Sequence, residues 1–193
     1  MKEWEMLRSA VTAVQPFTEG EWEAFSLPWK TISVGRKQTV TIAGEKERYL
    51  YFVLEGVQRV FYLDDEGREA TLVFTYAPSF GGVIDSLLLQ QPSKYYYETL
   101  SASRFLRISF ADLSLLMQTH AVVESFVCKA LTLSLSGLLE RLVELQAFSS
   151  EEKFRKLLQR SPHILQLVPQ KYLANYVGID ATNFSKLMHS VRI

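Results

Sequence analysis

Residues 44–82, GEKERYLYFVLEGVQRVFYLDDEGREATLVFTYAPSFGG, decide the fold. Tyr49 to Leu54 is rich in aromatic and β-branched residues, the composition of a strand. Glu55-Gly56 interrupts it, and Val57 to Leu63 reads as a second strand. Asp64-Asp65-Glu66-Gly67 is a turn, with Gly67 able to take positive φ. Thr71 to Tyr76 is a third strand, stopped by Ala77-Pro78, after which Gly81-Gly82 leaves the backbone bare. Short strands at this close spacing predict a barrel or sandwich.

Gly44-Glu45, the apolar strand behind it, Leu54-Glu55-Gly56, the Asp65-Glu66-Gly67 hairpin and Phe80-Gly81 resemble the cyclic-nucleotide-binding jelly roll. More narrowly, they resemble the Crp/Fnr family of bacterial transcription regulators. The resemblance implies an α+β protein: an N-terminal double-stranded β-helix (jelly roll) sensor, a long dimerisation helix and a small C-terminal helix-turn-helix domain.

The flanks follow that order. Trp4, Leu7, Val11 and Val14 recur at helical spacing, predicting a helix over 2–14. Thr18 and Glu21 form a capping box ahead of Trp22 and Phe25. Lys30 to Val34 and Gln38 to Ile42 are the first strands. Residues 83–92 carry a short helical segment, and Lys94 to Leu100 and Arg104 to Ile108 are the last strands. Ser109 caps a long helix that runs to about Phe148, with a break near His120.

The later half of that helix carries Cys128, Leu131, Leu135, Leu138, Leu142 and Leu145 at alternating spacings of three and four, as in a coiled coil. A buried amphipathic helix is the competing explanation. The family places its dimer helix here, so a homodimer seam is expected, with Cys128 as a small buried hydrophobe.

Ser149 and Glu152 form a second capping box, opening a helix to about Gln159. The boundary divides the chain into residues 1–148, a cyclic-nucleotide-binding-like β-roll with its dimer helix from about 110, and residues 149–193. Pro169 starts the next helix, Gln170 to Val177. Gly178-Ile179-Asp180 is a turn, and Asp180 caps a final helix from Ala181 to about Val191. No strands are expected after it.

Leu173-Ala174, Val177-Gly178-Ile179 and Phe184-Ser185-Lys186 resemble the family's helix-turn-helix. The resemblance implies that the final helix enters the major groove of double-stranded DNA. Ala181, Thr182, Asn183, Lys186 and His189 match groove positions, and Lys171 on the preceding helix is a phosphate contact. Lys186 stands where arginine is commoner. Residues 151–193 hold seven Lys/Arg against three Asp/Glu, a mildly basic module that suits nucleic acid, although chance clustering gives the same count.

The sensor cassette is degenerate. A cyclic nucleotide needs a guanidinium fork for its phosphate and a carboxylate for its ribose. Phe80-Gly81-Gly82 has glycine where the family's glutamate is expected, and Ser93-Lys94-Tyr95 stands in place of its Arg-Ser/Thr-Ala. The effector is therefore expected to be something other than cyclic AMP, or absent. Tyr95-Tyr96-Tyr97 alternate across their strand, and ordinary packing is preferred over an aromatic cage.

Other chemistries find little support. One cysteine cannot hold an iron–sulfur cluster. No spacing suggests zinc, and no histidine falls within 30–109, where a cupin would need several. No nucleophile or phosphate-loop motif occurs, so no enzyme, metal or cofactor is expected. No apolar run approaches the ~20 residues of a membrane span, and the N-terminus lacks a signal-peptide core. The expectation is a cytoplasmic regulator that pairs with itself and with DNA. A small-molecule effector and RNA polymerase are further partners that the resemblance allows. The alternative is a ligand-binding or protein-interaction module with a vestigial DNA-binding domain.

Overall fold

A computed structural model describes residues 2–190. Two helices, α1 (Lys2–Val14) and α2 (Glu19–Ser26), precede the strands. Their apolar faces cover one face of the strands Tyr49–Glu55 and Ser103–Ser109: Leu7, Val11 and Phe25 are fully buried with Phe52, Leu106 and Ile108. The Thr18–Glu21 capping box is formed, and Glu21 sits below the usual carboxylate pKa because the Thr18 backbone N–H and hydroxyl donate to it.

Eight strands follow: β1 (Lys30–Val34), β2 (Thr39–Thr41), β3 (Tyr49–Glu55), β4 (Val57–Leu63), β5 (Glu69–Tyr76), β6 (Ser79–Gly81), β7 (Tyr96–Thr99) and β8 (Ser103–Ser109). They form two antiparallel four-stranded sheets, ordered β1-β8-β3-β6 and β2-β7-β4-β5. The fold is thus mixed α+β. The fully buried β3 core (Leu50 to Leu54) explains why this stretch reads as a continuous apolar run instead of an alternating one.

The sequence reading missed β6. Ser79, Phe80 and Gly81 pair with Val53, Phe52 and Tyr51, so the backbone after Pro78 is not bare. β7 starts at Tyr96 instead of Lys94, because the Ser93 hydroxyl closes a tight turn. It accepts from Tyr95 N at 2.9 Å and donates to Tyr95 O at 2.7 Å, which removes Tyr95 from the ladder.

Between β6 and β7 lies α3 (Ile84–Leu89). After β8 come α4 (Phe110–Thr119) and α5 (Ala121–Ala147), separated at His120 as the sequence indicates. α5 buries apolar side chains in its first turns, at Val123, Phe126 and Val127, and reaches β5 through Arg141 near its other end. By length and composition, α5 is the one helix among the described residues able to cross a membrane. That corrects the expectation that no apolar run approaches such a span. The reason is the density of leucine along its exposed second half.

The C-terminal helices are α6 (Ser150–Arg160), α7 (Ile164–Leu167), α8 (Gln170–Val177) and α9 (Ala181–Ser190). The expected end of α9 at Val191 lies outside the described residues. α7 was not anticipated; it is a single turn that buries Ile164, with Val168 buried just after it. These helices bury Phe154, Leu157, Leu173 and Phe184 in one cluster that also contains Val57 and Leu100, with Phe74 and Tyr76 packed against it. The C-terminal core therefore includes residues of the roll.

Candidate functional site

The cassette residues lie along β6, the loop after it and the turn before β7. Gly82 has φ +107°, a backbone that side chains with a Cβ rarely adopt. A Cβ there would also sit 3.2 Å from the Tyr51 ring and 3.3 Å from Tyr49 O. Glycine at 82 is thus required by the local backbone, and a glutamate could not simply replace it.

A carboxylate does lie beside this point, from a residue the sequence reading passed over. Glu47 is 3% exposed, and its Oε2 is 3.5 Å from where a Gly82 Cβ would stand. Glu47 accepts from Arg48 N at 2.8 Å, Tyr49 N at 3.1 Å and Val83 N at 3.4 Å, and from the Thr41 hydroxyl. It ties the loop before β3 to the cassette. Within Glu45-Lys46-Glu47-Arg48 nothing but position separates it from its solvated neighbours, so sequence carries no signal for it.

Three rings pack together between the sheets, beside a cavity of about 650 Å³ lined by β1, β2, Glu47, Tyr51 and Arg107. Tyr97 is fully buried, packing on Tyr51 (centroids 5.8 Å) and near Phe105 (6.5 Å), and Tyr51 meets Phe105 edge-on at 5.4 Å. The Tyr97 hydroxyl is 3.1 Å from Thr75 Oγ1, which lies 2.9 Å from the Gln58 amide. Burial drives the pKa of both Tyr51 and Tyr97 well above the ordinary phenol value, and the Glu47 carboxylate adds to it. Tyr95 is half-buried beside this cluster, whereas Tyr96 stacks on Phe61 at 5.2 Å. Lys94 is exposed, and Ser93 is buried with its hydroxyl committed to the turn. Phe80 faces the other way, toward Phe52, Phe126 and Trp29.

The heptad positions separate into two groups. Leu131, Leu135, Leu138 and Leu142 are 39–57% exposed in the single chain. Cys128 is exposed as well in the single chain. Leu145 is half-buried near Gly178, its Cδ2 3.4 Å from where a Cβ on that glycine would be. It faces the C-terminal helices.

α8 and α9 meet at Gly178, whose φ of +66° ends α8 in the left-handed conformation. The backbone N–H of Asn183 donates to Asp180 Oδ1 at 2.8 Å, capping α9. Phe184 is buried, while Ala181, Thr182, Lys186 and His189 share the exposed side of α9 and Asn183 is half-buried. His189 Nδ1 lies 2.7 Å from Ser185 O. Lys171 is exposed on α8 with its ammonium 4.5 Å from the Tyr172 ring centre. Among the described residues no group of three or more His, Cys, Asp or Glu is placed to hold a metal ion.

Residues 31–120 match the family model of the cyclic nucleotide-binding domain. Solved structures of similar fold include bacterial regulators. FixK2 from Bradyrhizobium japonicum superposes with a TM-score of 0.75 at 14% identity, covering 83% of each chain. The c-di-GMP responsive global regulator CLP of Xanthomonas campestris gives 0.67 at 18%, covering 89% of this chain and 90% of its own. A protein from Eubacterium rectale assigned to the Crp/Fnr family of transcriptional regulators gives 0.67 at 15%, covering 90% and 82%. At these identities the likeness is one of fold. No curated protein matches the sequence.

Proposed function

We propose that the chain is a Crp/Fnr-type transcription regulator that binds DNA as a homodimer, with α8 and α9 as its helix-turn-helix and the β-roll as a jelly-roll sensor. The observation that carries this reading is the disposition of α9. Its buried side holds Phe184 against α6, and its other side presents Ala181, Thr182, Lys186 and His189, exposed among the described residues. That is the exposure a groove-reading helix needs. The order of a nucleotide-domain fold, a long leucine-faced helix and a capped helix pair supports it, as does the shared fold with regulators.

The dimer seam of this reading is Leu131, Leu135, Leu138 and Leu142. Four leucines aligned on one helix favour a partner face, since burying each is worth roughly 1.5–3 kcal/mol. The effector is not cyclic AMP in this reading, because the cassette lacks the phosphate fork and Tyr51, Tyr97 and Phe105 pack against one another on its inner side. No catalytic role is assigned.

Selection from random DNA duplexes tests the proposal. A palindromic motif, bound with an affinity that falls steeply with salt as counterions are released, is the expected result. No enriched motif at low salt would leave a ligand-binding or interaction module instead.

A further inference from the structure

One edge of the second sheet is β5. An edge strand offers a row of unpaired N–H and C=O groups, and here a single amide side chain of α8 takes them. Asn175 Oδ1 accepts from Thr71 N at 2.6 Å, and Asn175 Nδ2 donates to Glu69 O at 2.7 Å. This is the donor–acceptor pair that a neighbouring strand would have satisfied. Thr71 is only 2% exposed, so its N–H has little access to water and depends on that partner.

The same edge is irregular one residue further on. Val60 pairs with Val73 but Phe61 pairs with Thr71, which leaves Leu72 as the extra residue of a bulge. Arg141, from α5, supplies what the bulge lacks. Its guanidinium donates to Leu72 O, to Thr71 O and to Tyr176 O at the end of α8, and stacks 3.4 Å from the Tyr176 ring centre. Arg59, 3% exposed, lies between the rings of Phe61 and Tyr172 at 3.9 and 4.0 Å, ion-paired to Glu69 and Glu98. Three polar groups from three elements therefore converge on one strand edge and one face of α8.

We infer that Asn175 is a positioning residue that latches the α8–α9 pair to the edge of β5, so that the sensor sheet fixes the direction in which α9 is presented. Asn175 itself touches the sheet through both amide atoms. The functional consequence rests on the DNA-binding reading above; the latch does not.

Two measurements on the full-length protein test this. The first is amide exchange at Thr71 by NMR in Asn175→Ala. Thr71 exchanges at least tenfold faster than in the parent while Leu173 and Val177 within α8 keep their rates; unchanged Thr71 exchange overturns the latch. Asn175→Asp, which keeps the acceptor but not the donor, serves if the alanine variant does not fold, and should give a smaller increase. The second is binding to inverted repeats whose half-sites are moved apart by one or two base pairs. The parent discriminates against altered spacing, and the variant loses at least threefold of that discrimination. Weaker binding at all spacings alike would mark Asn175 as merely stabilising and overturn the positioning role. If the parent binds no DNA, the regulator reading and the positioning role fail together, and Thr71 exchange still decides the latch.

Discussion

The hydroxyl of Tyr97 lies where a side chain on Gly81 would begin, so that a methyl group added to Gly81 would overlap it and press on Thr75 Oγ1 at 3.3 Å. Large-for-small changes in a packed interior cost about 1–3 kcal/mol. Gly81→Ala should lower stability by that amount in urea melts. Combining it with Tyr97→Phe should recover part of the loss, since the hydroxyl is the atom in the way. A Gly81→Ala protein within about 0.5 kcal/mol of the parent would show that the ring is not held against β6.

The same ring packing forecasts how the roll treats nucleotides. Calorimetry should find no cyclic AMP binding tighter than about millimolar, roughly −4 kcal/mol. Gly82→Glu should not create it, because φ at 82 is +107° and Glu47 already stands at that point. Micromolar affinity in either protein would overturn this reading of the cassette.

Tyr51 and Tyr97 also set a pH limit. Their folded pKa values are raised, first by burial, whereas an unfolded tyrosine ionises near about 10. Above that pH the unfolded chain loses protons that the folded protein keeps, so unfolding becomes favoured. The contribution is complete below about pH 10 and is lost as pH rises beyond it. Denaturation series from pH 8 to 11 should show stability falling only at the alkaline end. Ultraviolet titration should leave Tyr51 and Tyr97 un-ionised until the protein unfolds. If both ionise reversibly at about 10 in folded protein, the rings are wetter than their packing indicates.

Strand order was legible where local chemistry dictates it. The Tyr49–Leu54 run, the Asp64–Gly67 turn and both capping boxes are set by neighbours in sequence, and they form as read. β6 was missed because three residues pair only through a distant strand, Tyr51 to Val53. Glu47 was missed because its burial comes from the loop folding under α3, where Ser86 Oγ accepts from Glu47 N at 3.0 Å. The reach of α8 onto β5 was equally hidden, since Asn175 and Thr71 are 104 residues apart. The cassette's departures at Gly82 and Ser93 were readable, but not that backbone geometry enforces the first and a hydroxyl-closed turn occupies the second.

Assembly is tested on α5. Leu135, 57% exposed in the single chain, lies at the middle of the leucine stripe. Leu135→Asp should convert a dimer to monomer on a sizing column. It removes roughly 1.5–3 kcal/mol of burial per copy and brings two carboxylates into an apolar seam, where a charge is costly to desolvate. A parent protein that is already monomeric at micromolar concentration would remove the basis for the seam.

DNA recognition is tested on α9 and α8 separately, because the two helices have different tasks. Asn183 is near the start of α9, held in place by the Asp180 cap, and an asparagine amide can pair bidentately with adenine. Asn183→Ala should relax preference at one base pair in each half-site, by ~1–3 kcal/mol if both bonds form. The cap uses the Asn183 backbone, so the substitution leaves it intact. Lys171 lies on the preceding helix and offers only a point charge. Lys171→Ala should weaken every sequence alike and reduce the salt slope by about one. The two half-sites, held by the α5 seam, should stand about one helical turn apart, ~34 Å. Binding of both variants across a set of single-base operator changes at two salt concentrations distinguishes these outcomes. An Asn183→Ala protein with the parent's base preferences would mean that α9 does not read the groove at its N-terminal end.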